Sequence, residues 1–413
     1  MKKDVDELIL YPREWVDETS SRVHEVVHRW AQREIIEDRL AYTHHYETQF
    51  DEKRKSLNLT IGLQKLTLPE EYGGGGWNTM QHVPGVVTIV SEIARADAAI
   101  GVISAMTYSI FGLIASERNR KDALTKALAP MFCGNNLATP SVMLPGAGMT
   151  GEDTPLFMGR ALPVSIEPAA AGYRLMGGAM RPLACGHMAD LYCVACTDKD
   201  GEPCVAFVPA EAEGIIKGPA VKTTGLNACR NATISFDGVR IPEEYVLRDP
   251  NMLATLHIWI NLYLGAVSVG SSLNFFEILR DWAESRTIKG GTPMKENPLC
   301  ASVLADVAEE IALSRLLLYN MAHVFVHSER FGAVEDKGMF TFAQMIGSRI
   351  QKSAILAINR GMELMGSAGY AKEWHVEKHW RDVKTIQSAL CGVGAGVPVK
   401  MDIARFFFDC KEV

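Results

Sequence analysis

The chain has no sustained run of lysine and arginine, and 42 basic against 49 acidic residues give a formal net charge of −7. It therefore lacks the electrostatic footprint by which a protein grips nucleic acid or an anionic bilayer. Its N-terminus, MKKDVDELILYPREWVDETSSRV, holds only a short apolar run, insufficient for a secretory signal core. No uncharged apolar stretch long enough for a membrane span is expected from the sequence. A soluble, cytoplasmic protein with no nucleic-acid partner and no membrane span is expected. Cysteine is sparse, nine residues in 413, without the dense spacing of a secreted disulfide scaffold, so buried reduced thiols are expected. The nearest approach to metal-ligand spacing is Cys193 and Cys196 in DLYCVACT, with Cys204 beyond. Alternating apolar residues make that segment a strand, where side chains three apart point to opposite faces, so no metal site is expected there.

What is present is ordinary globular material: 47% hydrophobic and 22% charged residues, in a chain long enough for two or three domains. From about residue 13 to 50 apolar residues recur at spacings of three and four, the mark of an amphipathic helix. LTLPEEYGGGGWN breaks the pattern at Pro69 and at Gly73 to Gly76; no Lys-Ser/Thr follows and no strand feeds it, so a flexible turn is expected rather than a phosphate loop. Helical periodicity resumes to about residue 135. Between residues 138 and 248 short runs such as YRLMGGAM, LYCVACT, CVAFVPA and ATISFDGVRIP, separated by turn residues, predict a small antiparallel β domain. From residue 250 the helical period returns in long segments. The expected architecture is mainly α with a middle β domain: a helical N-terminal domain at 1–136, a middle β domain at 137–249 and a C-terminal helical bundle at 250–413.

Five segments in this order carry a likeness. They are LTLPEEYGGGG followed by EIARADAAIG, LPGAG at 144–148, HMADLYCVACT, ISFDGVRIPEEYVL, and ELMGSAGYAKEWHVEKHWRD. Together they resemble the acyl-CoA dehydrogenase family, and the resemblance covers nearly the whole chain. It implies a helical N-terminal domain, a β-barrel-like middle domain and a C-terminal four-helix bundle, with FAD between the sheet and the bundle. It also implies an oligomer, a dimer of dimers, and removal of an α proton and a β hydride from an acyl-CoA thioester. Such a step needs a carboxylate base in hydrogen-bond reach of the α proton.

The resemblance also locates what this chain has changed. The family's Tyr-Glu-Gly-Thr segment, whose Glu is usually the base, falls on QSALCGVGAG, with the base position near Cys391 and Gly392 and no acid between Asp382 and Asp402. The alternative home of the base falls near Ile260, and no acid lies between Asp249 and Glu277. By the same resemblance the cofactor-binding positions are Gly146, Gly148, Met149, Thr150, Pro182, Ala184, Arg286, Gly366 and Gly369. Met143, Leu144 and Met149 stand where relatives present polar groups to the flavin, and Pro182, Leu183 and Ala184 replace Trp-Ile-Thr. Arg286 keeps the place of the arginine that neutralises a neighbour's FAD pyrophosphate.

A buried thiol at Cys391 is raised in pKa and inert, so packing is the expected role of that residue. The pairs His24 and His28, and His375 and His379, share helix faces but have no third ligand in view, so solvated helix faces are expected. Three functions remain open: an acyl-CoA dehydrogenase-type flavoprotein whose base is supplied from elsewhere, passing electrons to an electron-transfer flavoprotein; a non-catalytic subunit in a heterotetramer with a homologous active chain, as against a homotetramer; or a flavin enzyme on this fold with base-independent chemistry.

Overall fold

The computed structural model describes residues 13–116, 122–146, 154–249, 251–288 and 290–409. Its first part carries α1 (Glu18–Ala31), α2 (Arg39–His44), α3 (Tyr46–Lys55), α4 (Val83–Ala96), α5 (Ala98–Ala115) and α6 (Asp122–Cys133). Asp17 starts α1 by accepting from the Ser20 amide at 2.9 Å, and Asp97 starts α5 by accepting from the Ile100 amide at 3.0 Å. In each case a side-chain oxygen satisfies a donor that the helix leaves free. The continuous helix expected over 13–50 is instead interrupted, because Asp38 (φ −127°, ψ 41°) and His45 (φ −120°, ψ 23°) leave the helical region. The four glycines at 73–76 form a held turn rather than a flexible one: the Gly75 amide donates to Lys65 O at 2.9 Å and the Gly76 amide to Leu68 O at 2.8 Å.

The middle region contains β1 (Pro140–Met143), β2 (Leu156–Phe157), β3 (Arg160–Ala161), β4 (Val164–Ala169), β5 (Gly172–Met180), β6 (Leu191–Thr197), β7 (Pro203–Pro209), β8 (Ile215–Val221), β9 (Asn231–Ile241) and β10 (Val246–Leu247). The main sheet runs β10-β7-β6-β4-β5-β9-β8, with β1 also paired to β6, while β2 and β3 form a separate hairpin. The antiparallel expectation needs correcting, because β1 and β4 both lie parallel to β6. Parallel pairing demands a long crossover, and the excursion through β2 to β5 supplies one. Every residue of β6 is buried, so it reads as a continuous apolar run. Cys196 faces Cys204 across β6 and β7 with sulfurs 3.4 Å apart, both thiols free.

The last part holds α7 (Met252–Ser285), α8 (Pro298–Val326), α9 (Ser328–Phe331), α10 (Lys337–Met365), α11 (Val376–Cys391) and α12 (Gly396–Phe408). The 34-residue α7 packs against α4, α5, α8, α10 and α11. At Gly270 an added Cβ would lie 1.9 Å from Ser91 O, so glycine is what lets α4 and α7 touch backbone to backbone. The membrane expectation is also corrected in part: α5 and α7 are long and apolar enough by composition to cross a bilayer. Both are almost wholly buried within the protein, where a helix surrounded by partners needs no polar face.

One buried ion pair joins the three parts. Lys378 on α11 donates to Asp97 Oδ2 at 2.9 Å and to Asp382 Oδ2 at 2.6 Å. Asp382 Oδ1 accepts the Leu226 amide of the β8–β9 loop at 2.7 Å, and Arg381 reaches Thr224 O at 2.9 Å. Gly225 sits in that loop where a Cβ would be 2.1 Å from Arg381 O, so the loop docks only with glycine there. Burial would lower the Lys378 pKa, but Asp382 and Asp97 more than compensate and raise it, so the ammonium stays charged.

Candidate active site between sheet and bundle

The docked β8–β9 loop forms one side of a cleft of about 640 Å³. Its other walls come from the end of β1, the segment after β5, and helices α7, α10, α11 and α12. Pro182, Leu183 and Ala184 make an apolar wall whose side chains carry no hydrogen-bonding group. The backbone there is already engaged, since the Leu183 amide donates to Val142 O at 3.0 Å and Ser141 Oγ to Ala184 O at 2.7 Å. Arg181, Lys222 and Lys384 stand exposed at the rim. Among the described residues no Asp or Glu lines the cleft.

The inner end is polar and built from buried side chains. Arg160 of β3 donates to Asp402 Oδ2 of α12 at 2.6 Å, with the two side chains 5% and 3% exposed. Burial raises the Asp402 pKa, although Arg160 and Arg405 oppose it. His257 is pushed down to about 3, mainly by burial and further by Arg160, so its imidazole is neutral at pH 7. Its ring lies 6.3 Å from that of Phe157 and 6.2 Å from that of Phe340. Asn261, one turn further along α7, donates to His257 O at 2.8 Å and to Gln344 Oε1 at 3.3 Å.

The family-derived positions distribute unevenly around this cleft. Gly146, Pro182 and Ala184 line it; Gly148, Met149 and Thr150 lie outside the described residues. Arg286, Gly366 and Gly369 do not line it. Arg286 is exposed, just past the end of α7; Gly366 is exposed and Gly369 buried behind α10. The segment QSALCGVGAG is less of a loop than its glycines suggest, because α11 continues through Cys391. Leu390 lines the cleft, whereas the Cys391 thiol turns to Ser348 O at 3.9 Å and burial raises its pKa. Gly392 follows at the helix end, and Ile260 is fully buried without lining the cleft.

One of the two histidine pairs is not a solvated face, and the other is only partly exposed, with His24 17% and His28 41% exposed. His375 and His379 are 3% and 4% exposed; Ser271 Oγ and Asn274 Oδ1 lie at 2.8 and 3.0 Å from the two ring nitrogens of His379. His24 and His28 sit against the buried carboxylate of Glu92, at 3.4 and 3.0 Å. Neighbouring helices cover His375 and His379, while His28 stays partly exposed. The residues that shape the cleft's inner end, Arg160, His257, Asn261, Gln344 and Asp402, escaped the sequence reading. Asp402 was visible only as the next acid beyond an apparently empty stretch, and His257 and Asn261 as polar exceptions at helical spacing in an apolar helix.

This fold and cleft define a class before any particular relative is considered. Residues 17–129 match the acyl-CoA dehydrogenase N-terminal domain and residues 262–390 match the acyl-CoA dehydrogenase C-terminal domain. The chain belongs to the acyl-CoA dehydrogenase family. It is 23% identical over 351 residues to a probable acyl-CoA dehydrogenase, YngJ, of Bacillus subtilis, covering 84% of this chain and 87% of that one. The structure of butyryl-CoA dehydrogenase from Megasphaera elsdenii superposes with a TM-score of 0.77 at 18% identity, covering 94% of this chain and 98% of that one. A Mycobacterium smegmatis glutaryl-CoA dehydrogenase in complex with FADH2 superposes with a TM-score of 0.73 at 15% identity, covering 97% of each.

Proposed function

We propose that this chain is a flavoprotein of the acyl-CoA dehydrogenase type that binds FAD and an acyl-CoA thioester in the cleft between sheet and bundle. The observation that carries this reading is the cleft itself, with an apolar wall at Pro182 to Ala184 and, among the described residues, an excess of positive charge at its rim. FAD, when bound, supplies the acceptor for a hydride. The residues present fit such a group with fewer polar contacts: the wall offers a face for ring stacking, and Arg181, Lys222 and Lys384 offer positive charge to phosphate oxygens. Affinity then rests on stacking and charge, with fewer neutral hydrogen bonds than relatives use. By family resemblance Arg286 serves the pyrophosphate of a neighbouring subunit in a homotetramer or a heterotetramer. An electron-transfer flavoprotein takes the electrons, and the protein acts in the cytoplasm.

A second reading, a non-catalytic subunit paired with an active homologue, is favoured by one observation: among the described residues the cleft holds no carboxylate to take an α proton. Anaerobic mixing of the FAD-loaded chain with a range of acyl-CoA thioesters separates the two. Bleaching of the flavin absorbance supports the enzyme. Tight acyl-CoA binding without bleaching supports the subunit, and failure to bind any acyl-CoA rejects the enzyme.

A further inference from the structure

The inner end of the cleft holds a buried excess of positive charge, and its use as a substrate subsite rests on the acyl-CoA reading. Arg160 lines the cleft with its side chain 5% exposed, and Asp402 beside it is 3% exposed. The carboxylate of Asp402 is shared: its Oδ2 accepts from Arg160 at 2.6 Å, while Arg405 Nη1 lies 3.8 Å from its Oδ1. Two guanidinium groups therefore face a single carboxylate. Burial raises the Asp402 pKa, and its protonation would only enlarge the excess. Among the described residues nothing else at this end offsets it: His257 is neutral, Asn261 is bonded to Gln344, and no Asp or Glu lines the cleft.

A guanidinium taken out of water is costly unless an anion balances it. Arg160 also has a donor to give. Its Nη1 donates to Met158 O at 3.1 Å and its Nη2 to Asp402, whereas its Nε makes no hydrogen bond among the described residues. In contrast to Arg405 Nε, that nitrogen is not sealed inside the protein. We propose that the inner end of the cleft is a subsite for a carboxylate-terminated acyl group, a dicarboxylic acyl-CoA whose distal carboxylate accepts from Arg160. An alkyl end leaves the excess charge unbalanced. The ligand's phosphates are the other source of negative charge, and the exposed rim cations Arg181, Lys222 and Lys384 stand in solvent to meet them.

Isothermal titration of the full chain, loaded with FAD where it takes FAD up, tests this with pairs of ligands of equal acyl length. The pairs run from succinyl-CoA against butyryl-CoA, through adipoyl-CoA against hexanoyl-CoA, to suberoyl-CoA against octanoyl-CoA. Both members of a pair carry the same phosphates, so only the distal group differs. At least one dicarboxylic ligand is expected to bind about tenfold tighter than its partner, the gain of a charge-assisted hydrogen bond to a buried guanidinium. Arg160→Met should reduce that preference to below about twofold while leaving the monocarboxylic affinities nearly unchanged. Arg405→Met, at a more exposed residue, is the second variant: it leaves Arg160 in place, removes the excess charge and should also weaken the preference. No dicarboxylic preference in the unsubstituted chain, or one that survives both substitutions, overturns the inference. Equal weakening of both members of a pair by Arg160→Met would assign Arg160 to phosphate and overturns it too. Binding of no acyl-CoA at all removes the acyl-CoA reading itself, an outcome distinct from a failure of selectivity.

Discussion

The molecule contains two buried polar centres built from the same parts and finished differently. At the junction, Lys378 pairs with Asp97 and Asp382, and His379 is held neutral with both ring nitrogens bonded. At the inner end of the cleft, Arg160 pairs with Asp402, and His257 is held neutral with Nε2 unbonded. Both imidazoles are driven down to about 3, chiefly by burial. At the junction the Lys378 ammonium and both ring nitrogens of His379 are bonded within the protein, joining helix, loop and bundle. At the cleft, His257 Nε2 has no partner among the described residues. The two imidazoles thus differ in what holds them, although burial acts on both alike.

The largest effect expected from this contrast concerns stability. Asp382→Ala leaves Lys378 half-paired and the Leu226 amide without its acceptor, and should cost about 3–5 kcal/mol by chemical denaturation. Arg160→Met should cost less than half of that, because Asp402 is already biased toward its neutral form by burial and can take up a proton. Equal losses would erase the distinction between the two centres.

Next comes a gain of function. Leu390 faces the cleft and Cys391 does not, so Leu390→Glu should raise the rate of flavin bleaching by acyl-CoA by about a hundredfold or more, the usual worth of a positioned base. Cys391→Glu should not. Stopped-flow absorbance under anaerobic conditions distinguishes them, and equal responses would mean that the α11 register governs nothing.

Acid sensitivity follows in size. The unfolded chain's histidines bind protons near pH 6.5, whereas His257 and His379 resist until about 3. Stability supplied by their neutral forms is therefore present above about pH 6.5 and falls as pH drops toward 3. The loss should reach about 2 kcal/mol per histidine between pH 7 and pH 5. His257→Phe should remove one histidine's share of that slope, measured by denaturation at several pH values; an unchanged slope would mean that His257 is charged in the fold. The smallest effect belongs to the rim, where Lys222→Ala and Lys384→Ala should each weaken FAD binding only about two- to fivefold, more at low salt than at high.

The helix, strand, helix order was legible because hydrophobic period changes from 3.6 to 2 and back, and LPGAG and the Pro182 to Ala184 wall were legible through family likeness. The cleft's inner end was not. Arg160 and Asp402 are 242 positions apart, and no local pattern announces an ion pair made by tertiary packing. His375 and His379 looked solvated because a helix of mixed polarity does not reveal which face its neighbours cover. Uncharged stretches in α5 and α7 were under-read for the same reason: a helix packed on every side has the composition of a membrane span. QSALCGVGAG misled in the opposite direction, since its glycines follow a helix that persists to Cys391 and leaves Leu390, not the cysteine, facing the cleft.

The most direct test of the central claim is a titration of the purified full-length chain with FAD, following the visible spectrum and quantifying the flavin released on denaturation. The cleft between sheet and bundle predicts saturation at one FAD per chain, abolished by Ala184→Arg, which would put a long side chain through the apolar wall. A chain that stays colourless at saturating FAD, or one whose flavin uptake is indifferent to Ala184→Arg, would contradict the assignment of that cleft.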